Sequence, residues 1–354
     1  MAPREAMMPS LERVLYGGQI SEGAEVERFE AEFGRFIGHT PVLSFYSGTA
    51  ALHTALILAG VGPGDEVVST PMTAEPTNLA IRYAGANVVW ADVDPASGNI
   101  DPDSIAARIT PRTRALMVVH YGGIPAAIER IRALAAPRGI PVIEDAAHAL
   151  GARYDGAPLG RHSEYVMFSL QAIKHLTAVD GGMLALARAE EAARCRRIRW
   201  FGIDRRAPRA EVDVREVGYK YHMNNVNAAI GSVQLAHVAP AIARHIDNGR
   251  FFDHALQGIP GLETPRWDAK AEPSYWFYTV LAERRDDLAR MLSERGIGNS
   301  LAHRRNDLHS VFASSRCDLP GLDRFYARML HIPCGWWVSD EDRQYIAETL
   351  KRGW

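Results

Sequence analysis

At 354 residues the chain is long enough for one large domain and a smaller one, and its 47% apolar, 23% charged composition is that of an ordinary globular protein. A formal net charge of −2 argues against nucleic acid or an anionic membrane as partner. Three scattered cysteines (Cys195, Cys317, Cys334) without metal-type spacing exclude a disulfide framework and suggest free thiols in a reducing cytoplasm. No run approaches the roughly 18 apolar residues of a membrane span, and the N-terminus carries Arg4 and Glu5 but no apolar signal core. A soluble, cytoplasmic chain is expected.

Residues 1–38 read as an N-terminal segment with a short helical piece at Leu11–Leu15, a turn at Gly17-Gly18 and a helix at Ala24–Ile37. In that helix Val26, Phe29, Phe33 and Phe36 recur at helical spacing. From 41 to about 190 the pattern alternates. Strands are predicted at Val42–Tyr46, Glu66–Ser69, Asn87–Asp92, Ala115–His120, Pro141–Asp145 and Tyr165–Ser169, and helices at Thr49–Ala59, Thr77–Ala84, Asp103–Ile109 and Ile124–Pro137. Such alternation predicts an α/β fold, a three-layer arrangement with a mainly parallel sheet between helices. Sheets of this kind bind ligands beyond the carboxyl ends of their strands. Ser47, His120, Asp145 and Lys174 all fall at or just after strand ends. Helices follow at Glu190–Ile203 and Asn225–Val238, and a longer one from about Pro240 to Leu256 leads into a smaller α+β region. That region has a strand at Tyr275–Leu281 and helices at Asp286–Arg295, Asp323–Met329 and Asp340–Lys351. The expected division is a large domain over 1–240, including the N-terminal segment, and a small C-terminal domain over 241–354.

Three stretches carry chemistry. In Tyr165–Leu186 one lysine, Lys174, stands in a polar turn between two apolar runs, close to Gly181-Gly182. Its amine is placed to act as a nucleophile; the competing reading is a loop lysine facing water. Ser47-Gly48-Thr49-Ala50-Ala51 joins a strand to an Ala/Leu-rich helix, and small residues at a helix N-terminus let backbone N–H groups reach an anion. An ordinary cap is the alternative. Ser169 would offer a hydroxyl to the same anion. Asp145 ends an apolar strand, where a carboxylate must be paired or strongly hydrogen-bonded to stay charged. It either meets a cationic ring nitrogen or caps the next helix. His148 is a bonding partner for a phenolic oxygen or a packed core histidine. Together these groups supply what pyridoxal 5'-phosphate needs: an amine for the aldehyde, an acid for the pyridine nitrogen, and a cup for the phosphate.

The blocks SGTAALHTAL, GVGPGDEVVSTPMT, DVDPASGNIDP, ITPRTRALMVVH, PVIEDAAHALGA, FSLQAIKHLTAVDGG and GYKYHMNNVNAAIG, with the ending LHIPCGWWVSDEDRQYIAETL, resemble the signature of the DegT/StrS-type sugar aminotransferases. These are fold-type I pyridoxal-phosphate enzymes. The resemblance implies a homodimer with shared active sites, a nucleotide-linked keto-sugar (a 3-keto- or 4-keto-6-deoxy sugar) as acceptor, and glutamate as amino donor. By position it implies that Lys174 carries the cofactor, Asp145 partners the pyridine nitrogen, His148 lies beside the ring hydroxyl, and Gly48, Thr49 and Ser169 hold the phosphate.

Two departures from the family pattern stand out. Lys220, in Gly218-Tyr219-Lys220-Tyr221, replaces an asparagine that reaches the neighbouring subunit's phosphate. Ala74 follows Thr73 where relatives often carry an aromatic over the cofactor ring, so Met72 or another side chain covers that face or it stays open. Glu75, in the same loop, has no evident role. A lysine at 174, where dehydrating relatives have histidine, favours transamination.

For a diphosphate, Arg194–Arg209 offers seven arginines (194, 196, 197, 199, 205, 206 and 209), and His303-Arg304-Arg305-Asn306 forms a second basic cluster. Arg199, Arg205, Arg304 and Arg305 are the candidates, against a solvated helix face for most of the first run. Trp200, Tyr219, Tyr221, Trp336 and Trp337 either stack on a base, line the interface or pack in the core. The competing functions are a cyclitol aminotransferase, a sugar dehydratase or oxidase on the same fold, and a non-catalytic scaffold or sensor.

Overall fold

The computed structural model describes residues 1–354 except Arg206, and at Arg209 the backbone only. Its strands are β1 (Val42–Phe45), β2 (Glu66–Ser69), β3 (Asn87–Trp90), β4 (Thr113–Val119), β5 (Val142–Asp145), β6 (Arg153–Tyr154), β7 (Ala157–Pro158), β8 (Tyr165–Ser169), β9 (Gly182–Leu186), β10 (Leu262–Glu263), β11 (Ala271–Glu272), β12 (Tyr278–Ala282) and β13 (Met329–Ile332). Seven of them form one sheet in the order β1-β9-β8-β5-β4-β2-β3. Successive residues alternate between its faces. Val118, Val142, Val166 and Phe168 enter one core with Phe29 and Phe33, whereas Met117, Ile143, Met167 and Leu184 enter the other with Leu43 and Leu56. Helices cover both faces, so β1, β2, β5 and β9 are buried throughout, and their polar residues (Ser44, Glu66, Ser69, Glu144, Asp145) are buried with the apolar ones.

One strand breaks the parallel rule. β9 runs antiparallel to both β8 and β1. The chain leaves β8 through a loop and returns beside it with no helical crossover, and a return without a crossover helix forces antiparallel pairing. That reversal suspends the Lys174 loop over the sheet's carboxyl edge.

Four helices position the site: α1 (Arg4–Tyr16), α2 (Ala24–Ile37), α3 (Gly48–Leu58) and α4 (Glu75–Tyr83). The first is longer than the Leu11–Leu15 piece predicted, because Pro9 lies inside the helix instead of starting it. The Ile124–Pro137 helix is shorter than predicted, at Ile128–Ala135. The chain first makes a single 3₁₀ turn at Tyr121–Gly123, where Gly122 has φ 63°, which a helix cannot accommodate.

Beyond the 18-residue helix Val238–Ala255, a third core gathers Phe252, Tyr278, Val280, Leu288, Leu330 and Ile346 around the antiparallel sheet β10-β12-β13. The short strands β11, β6 and β7 make a third sheet. Among the described residues no single helix is long and apolar enough to cross a membrane. The helices Asn225–Leu235 and Val238–Ala255 reach that length and composition only together, across a 59° bend.

Candidate active site

The loop that carries Lys174 is closed at its base. Leu170 N–H donates to the Gly181 carbonyl (2.9 Å) and Ala178 N–H to the Leu170 carbonyl (3.0 Å), while Lys174 N–H donates to Gln171 (3.0 Å). Lys174 Nζ lies 3.7 Å from the centre of the Trp276 indole. Burial pulls its pKa down to about 8, against the opposing pull of the Asp145 carboxylate. A much larger fraction of this amine is neutral at physiological pH than on an exposed lysine, which is the condition for a nucleophile.

Gly182 opens β9 and touches the start of α3. A Cβ there would lie 2.7 Å from Gly48 N and 2.7 Å from the Ser47 carbonyl, so only glycine fits. Ser47 caps α3, its hydroxyl accepting from Ala50 N–H at 3.1 Å. The amides of Gly48 and Thr49 are left without an intrahelical partner. A Cβ on Gly48 would sit 3.6 Å from Ser169 Cβ. The structure therefore brings Gly48, Thr49 and Ser169 to one point, a helix N-terminus beside a hydroxyl, with the chemistry of an anion cup.

Asp145 ends β5 and is only 4% exposed. Burial raises its pKa, while two donors and the charge of Lys174 hold it back. The donors are Thr77 Oγ1–H to Oδ2 (2.7 Å) and Ala147 N–H to Oδ1 (3.0 Å). Thr77, in the first turn of α4, is itself linked to Thr73 (Oγ1 to Oγ1, 2.9 Å). Asn306 then ties this loop to the C-terminal region. Its amide donates to Thr73 O (2.8 Å) and accepts from Asn78 (2.9 Å), and its backbone N–H donates to Pro71 O (2.9 Å). Neither Thr77 nor Asn306 was foreseen, because a threonine near a helix start reads as a cap and Asn306 is distant in sequence.

His148 is buried and stacks on Trp276, with ring centres 4.0 Å apart and planes at 18°. Its Nε2 lies 3.5 Å from that of His303, whose ring is parallel to it within 6°. Burial lowers both pKa values, that of His303 to about 4, so both rings are neutral at physiological pH. His120, also at a strand end, faces away from this group. It accepts from Ala126 N–H through Nδ1 (3.0 Å), so Nε2 carries the hydrogen and donates to Glu144 (2.8 Å) in the interior.

In the loop after β2, Ala74 offers no ring, and Met72 is fully buried in the core. Glu75 pairs with His309 at 3.3 Å. The flat side chain next to Lys174 is Trp276. It is not among the candidate aromatics because it falls in Tyr275–Leu281, which reads as a strand.

Three of the four candidate arginines are already engaged. Arg199 is 3% exposed and donates to Glu30 (2.6 Å), Glu22 (2.6 Å) and the Ser44 carbonyl (2.8 Å). Its place is a buried ion cluster, a correction to the diphosphate expectation, since no donor is turned outward. Arg205 pairs with Glu22 and lies over Trp200, and Arg305 is held by Asp307 and Asp323. Arg304 alone is exposed and in no ion pair among the described residues. Arg206 and the side chain of Arg209 lie outside the described residues. Lys220 is exposed on a strip that pairs with Trp200, and its neighbour Tyr221 accepts from Tyr46 N–H at the end of β1 (2.8 Å). Tyr219 and Tyr221 stack on each other, while Trp336 and Trp337 are exposed.

Comparison with known proteins places this geometry. The model of the DegT/DnrJ/EryC1/StrS aminotransferase family matches residues 3–351. The spore coat polysaccharide biosynthesis protein SpsC of Bacillus subtilis (strain 168) is 32% identical, over 95% of this chain and 91% of that protein. Among solved structures, the sugar aminotransferase CalS13 from Micromonospora echinospora superimposes with a TM-score of 0.96 at 40% identity, covering 100% of this chain and 98% of the other. AtS13 from Actinomadura melliaura does so with 0.96 at 39%, covering 100% and 97%.

Proposed function

Because the chain belongs to the DegT/DnrJ/EryC1/StrS aminotransferase family, whose enzymes depend on pyridoxal phosphate, we propose that it moves an amino group from glutamate to the keto carbon of a nucleotide-linked 3-keto- or 4-keto-6-deoxy sugar. The observation that carries this reading is the pairing of a lysine amine of depressed pKa with a buried carboxylate, beside the helix N-terminus at Gly48. The similarity to a protein named a sugar aminotransferase and to one named for polysaccharide biosynthesis supports the substrate class.

The residues fit the cofactor. Gly48, Thr49 and Ser169 would hold its phosphate, Asp145 its ring nitrogen, His148 its phenolic oxygen and Lys174 its aldehyde. When bound, pyridoxal phosphate supplies an electron-withdrawing cationic ring that spreads the charge of a carbanion. The rest is done by the chain. Lys174 Nζ would take the proton from the carbon that bears the amino group and deliver it to the cofactor's aldehyde-derived carbon, two bonds away across the nitrogen, acting as base and then as acid. The hydroxyl of Thr77 and the amide of Ala147 favour the ionised form of Asp145 against its burial, so that it would hold the proton on the cofactor's ring nitrogen. Trp276, His148 and His303 form an aromatic wall on that side of the amine.

The enzyme works as a cytoplasmic homodimer in which Lys220 reaches the partner subunit's phosphate site, an ammonium serving a phosphate at least as well as an amide. Its large domain ends near residue 240. Glutamate added alone should release one 2-oxoglutarate per subunit before any acceptor is present, and borohydride treatment followed by peptide mass analysis should place the cofactor on Lys174. A dehydratase or oxidase would release none, and a label on another lysine would refute the assignment.

A further inference from the structure

The cofactor cradle does not by itself explain what recognises the acceptor's ring. Trp276 is absent from any motif, yet it is held beside the reactive amine by both its backbone and its side chain. Its N–H donates to Gly122 O and its indole Nε1–H to Ile173 O, both at 2.9 Å. Its neighbour Tyr275 donates to Asp253 at 2.5 Å. The segment approaches so closely because residue 123 is glycine, where a Cβ would lie 2.9 Å from Trp276 N and 2.8 Å from His148 O.

Proton transfer requires the reacting carbon within roughly 3–3.5 Å of the amine. With Nζ only 3.7 Å from the indole centre, substituents on that carbon must meet the indole. Beyond it the wall continues as two neutral imidazoles. Such a surface offers no cation to the two carboxylates of glutamate. It matches the C–H face and methyl group of a 6-deoxyhexose, which stack on flat aromatic rings.

We propose that Trp276 is the platform on which the acceptor sugar stacks, with His303 extending it, so that losing Trp276 costs the acceptor step more than the donor step. This rests on the sugar aminotransferase reading.

The test uses the holoenzyme and its Trp276→Ala and Trp276→Phe variants. Release of 2-oxoglutarate from glutamate should fall in Trp276→Ala by several-fold less than kcat/KM for the acceptor does, and little in Trp276→Phe. The KM for thymidine-diphosphate-linked 4-keto-6-deoxyglucose should rise about tenfold or more in Trp276→Ala, with a smaller change in kcat, and largely recover in Trp276→Phe. A second readout needs no turnover. By calorimetry, the affinity gained by thymidine diphosphate when it carries rhamnose should vanish in Trp276→Ala and persist in Trp276→Phe. Equal loss in both half-reactions, or weakened pyridoxal phosphate binding, would make Trp276 a cofactor support and overturn the proposal. So would an unchanged sugar contribution. Wild-type enzyme inert towards glutamate would instead sink the underlying reading, and this proposal with it.

Discussion

At the scale of single residues, reactivity at Lys174 is obtained at a cost in stability, and the sign of that cost is measurable. The folded-state pKa is depressed from 10.5 to about 8. The folded protein therefore carries an unfavourable buried charge below pH 8, and this is relieved as pH rises from 8 to 10.5, where the unfolded chain still holds the proton. The gap corresponds to at most roughly 3 kcal/mol. Lys174→Met, which fills the same space without the charge, should abolish transamination. It should also raise the melting temperature of the cofactor-free protein at pH 7, and the gain should shrink towards pH 10.5. Thermal unfolding at both pH values checks this; a variant less stable than wild type at pH 7 would mean that the lysine stem, through its contact with Trp276, contributes more packing than its charge costs.

At the scale of elements, the site is a contact between the start of α3 and the start of β9. Replacing Gly182 with alanine drives a methyl into backbone atoms of Ser47 and Gly48 at 2.7 Å, and backbone cannot rotate away as a flexible side chain can. Gly182→Ala should lower stability by about 1–3 kcal/mol and weaken pyridoxal phosphate binding to the apoenzyme more than tenfold, measured by fluorescence titration. A control such as Gly139→Ala, at a turn where nothing lies within 4 Å, should leave cofactor affinity unchanged.

This contact also shows what could be read from the chain. The strands were legible because a sheet covered on both faces is written as apolar runs, and the Ser47–Ala51 and Asp145 signals were legible because capping and strand-end chemistry are local. The reversed direction of β9 was not, since an apolar strand looks the same in either direction. Trp276 was invisible for another reason. It donates to Ile173 across 103 positions, and only the Gly122-Gly123 turn lets it approach.

At the scale of the whole molecule, Arg199 joins parts that are far apart in sequence: Glu22 before α2, Glu30 within it, and the Ser44 carbonyl of β1. Burial alone would raise the pKa of Glu22, but Arg199 and then Arg205 outweigh it and the net shift is downward. Its stabilising contribution is therefore present above the ordinary carboxylate range and is lost as pH falls through its lowered pKa. Removing the arginine should be far worse than removing the whole cluster, because it strands Glu30 in the interior and leaves Glu22 with Arg205 alone. Arg199→Met should destabilise by about 3–5 kcal/mol at pH 7, whereas adding Glu22→Gln and Glu30→Gln should recover much of that loss. The single variant should also lose much of the acid sensitivity of the wild type, since Glu22 no longer has the Arg199 charge that holds its pKa down. Urea unfolding at pH 7 and pH 5 distinguishes the cases. If the triple variant is no more stable than the single one, the arginine acts through its packing and backbone bond to Ser44, and charge compensation is not what fastens the N-terminal segment to the sheet.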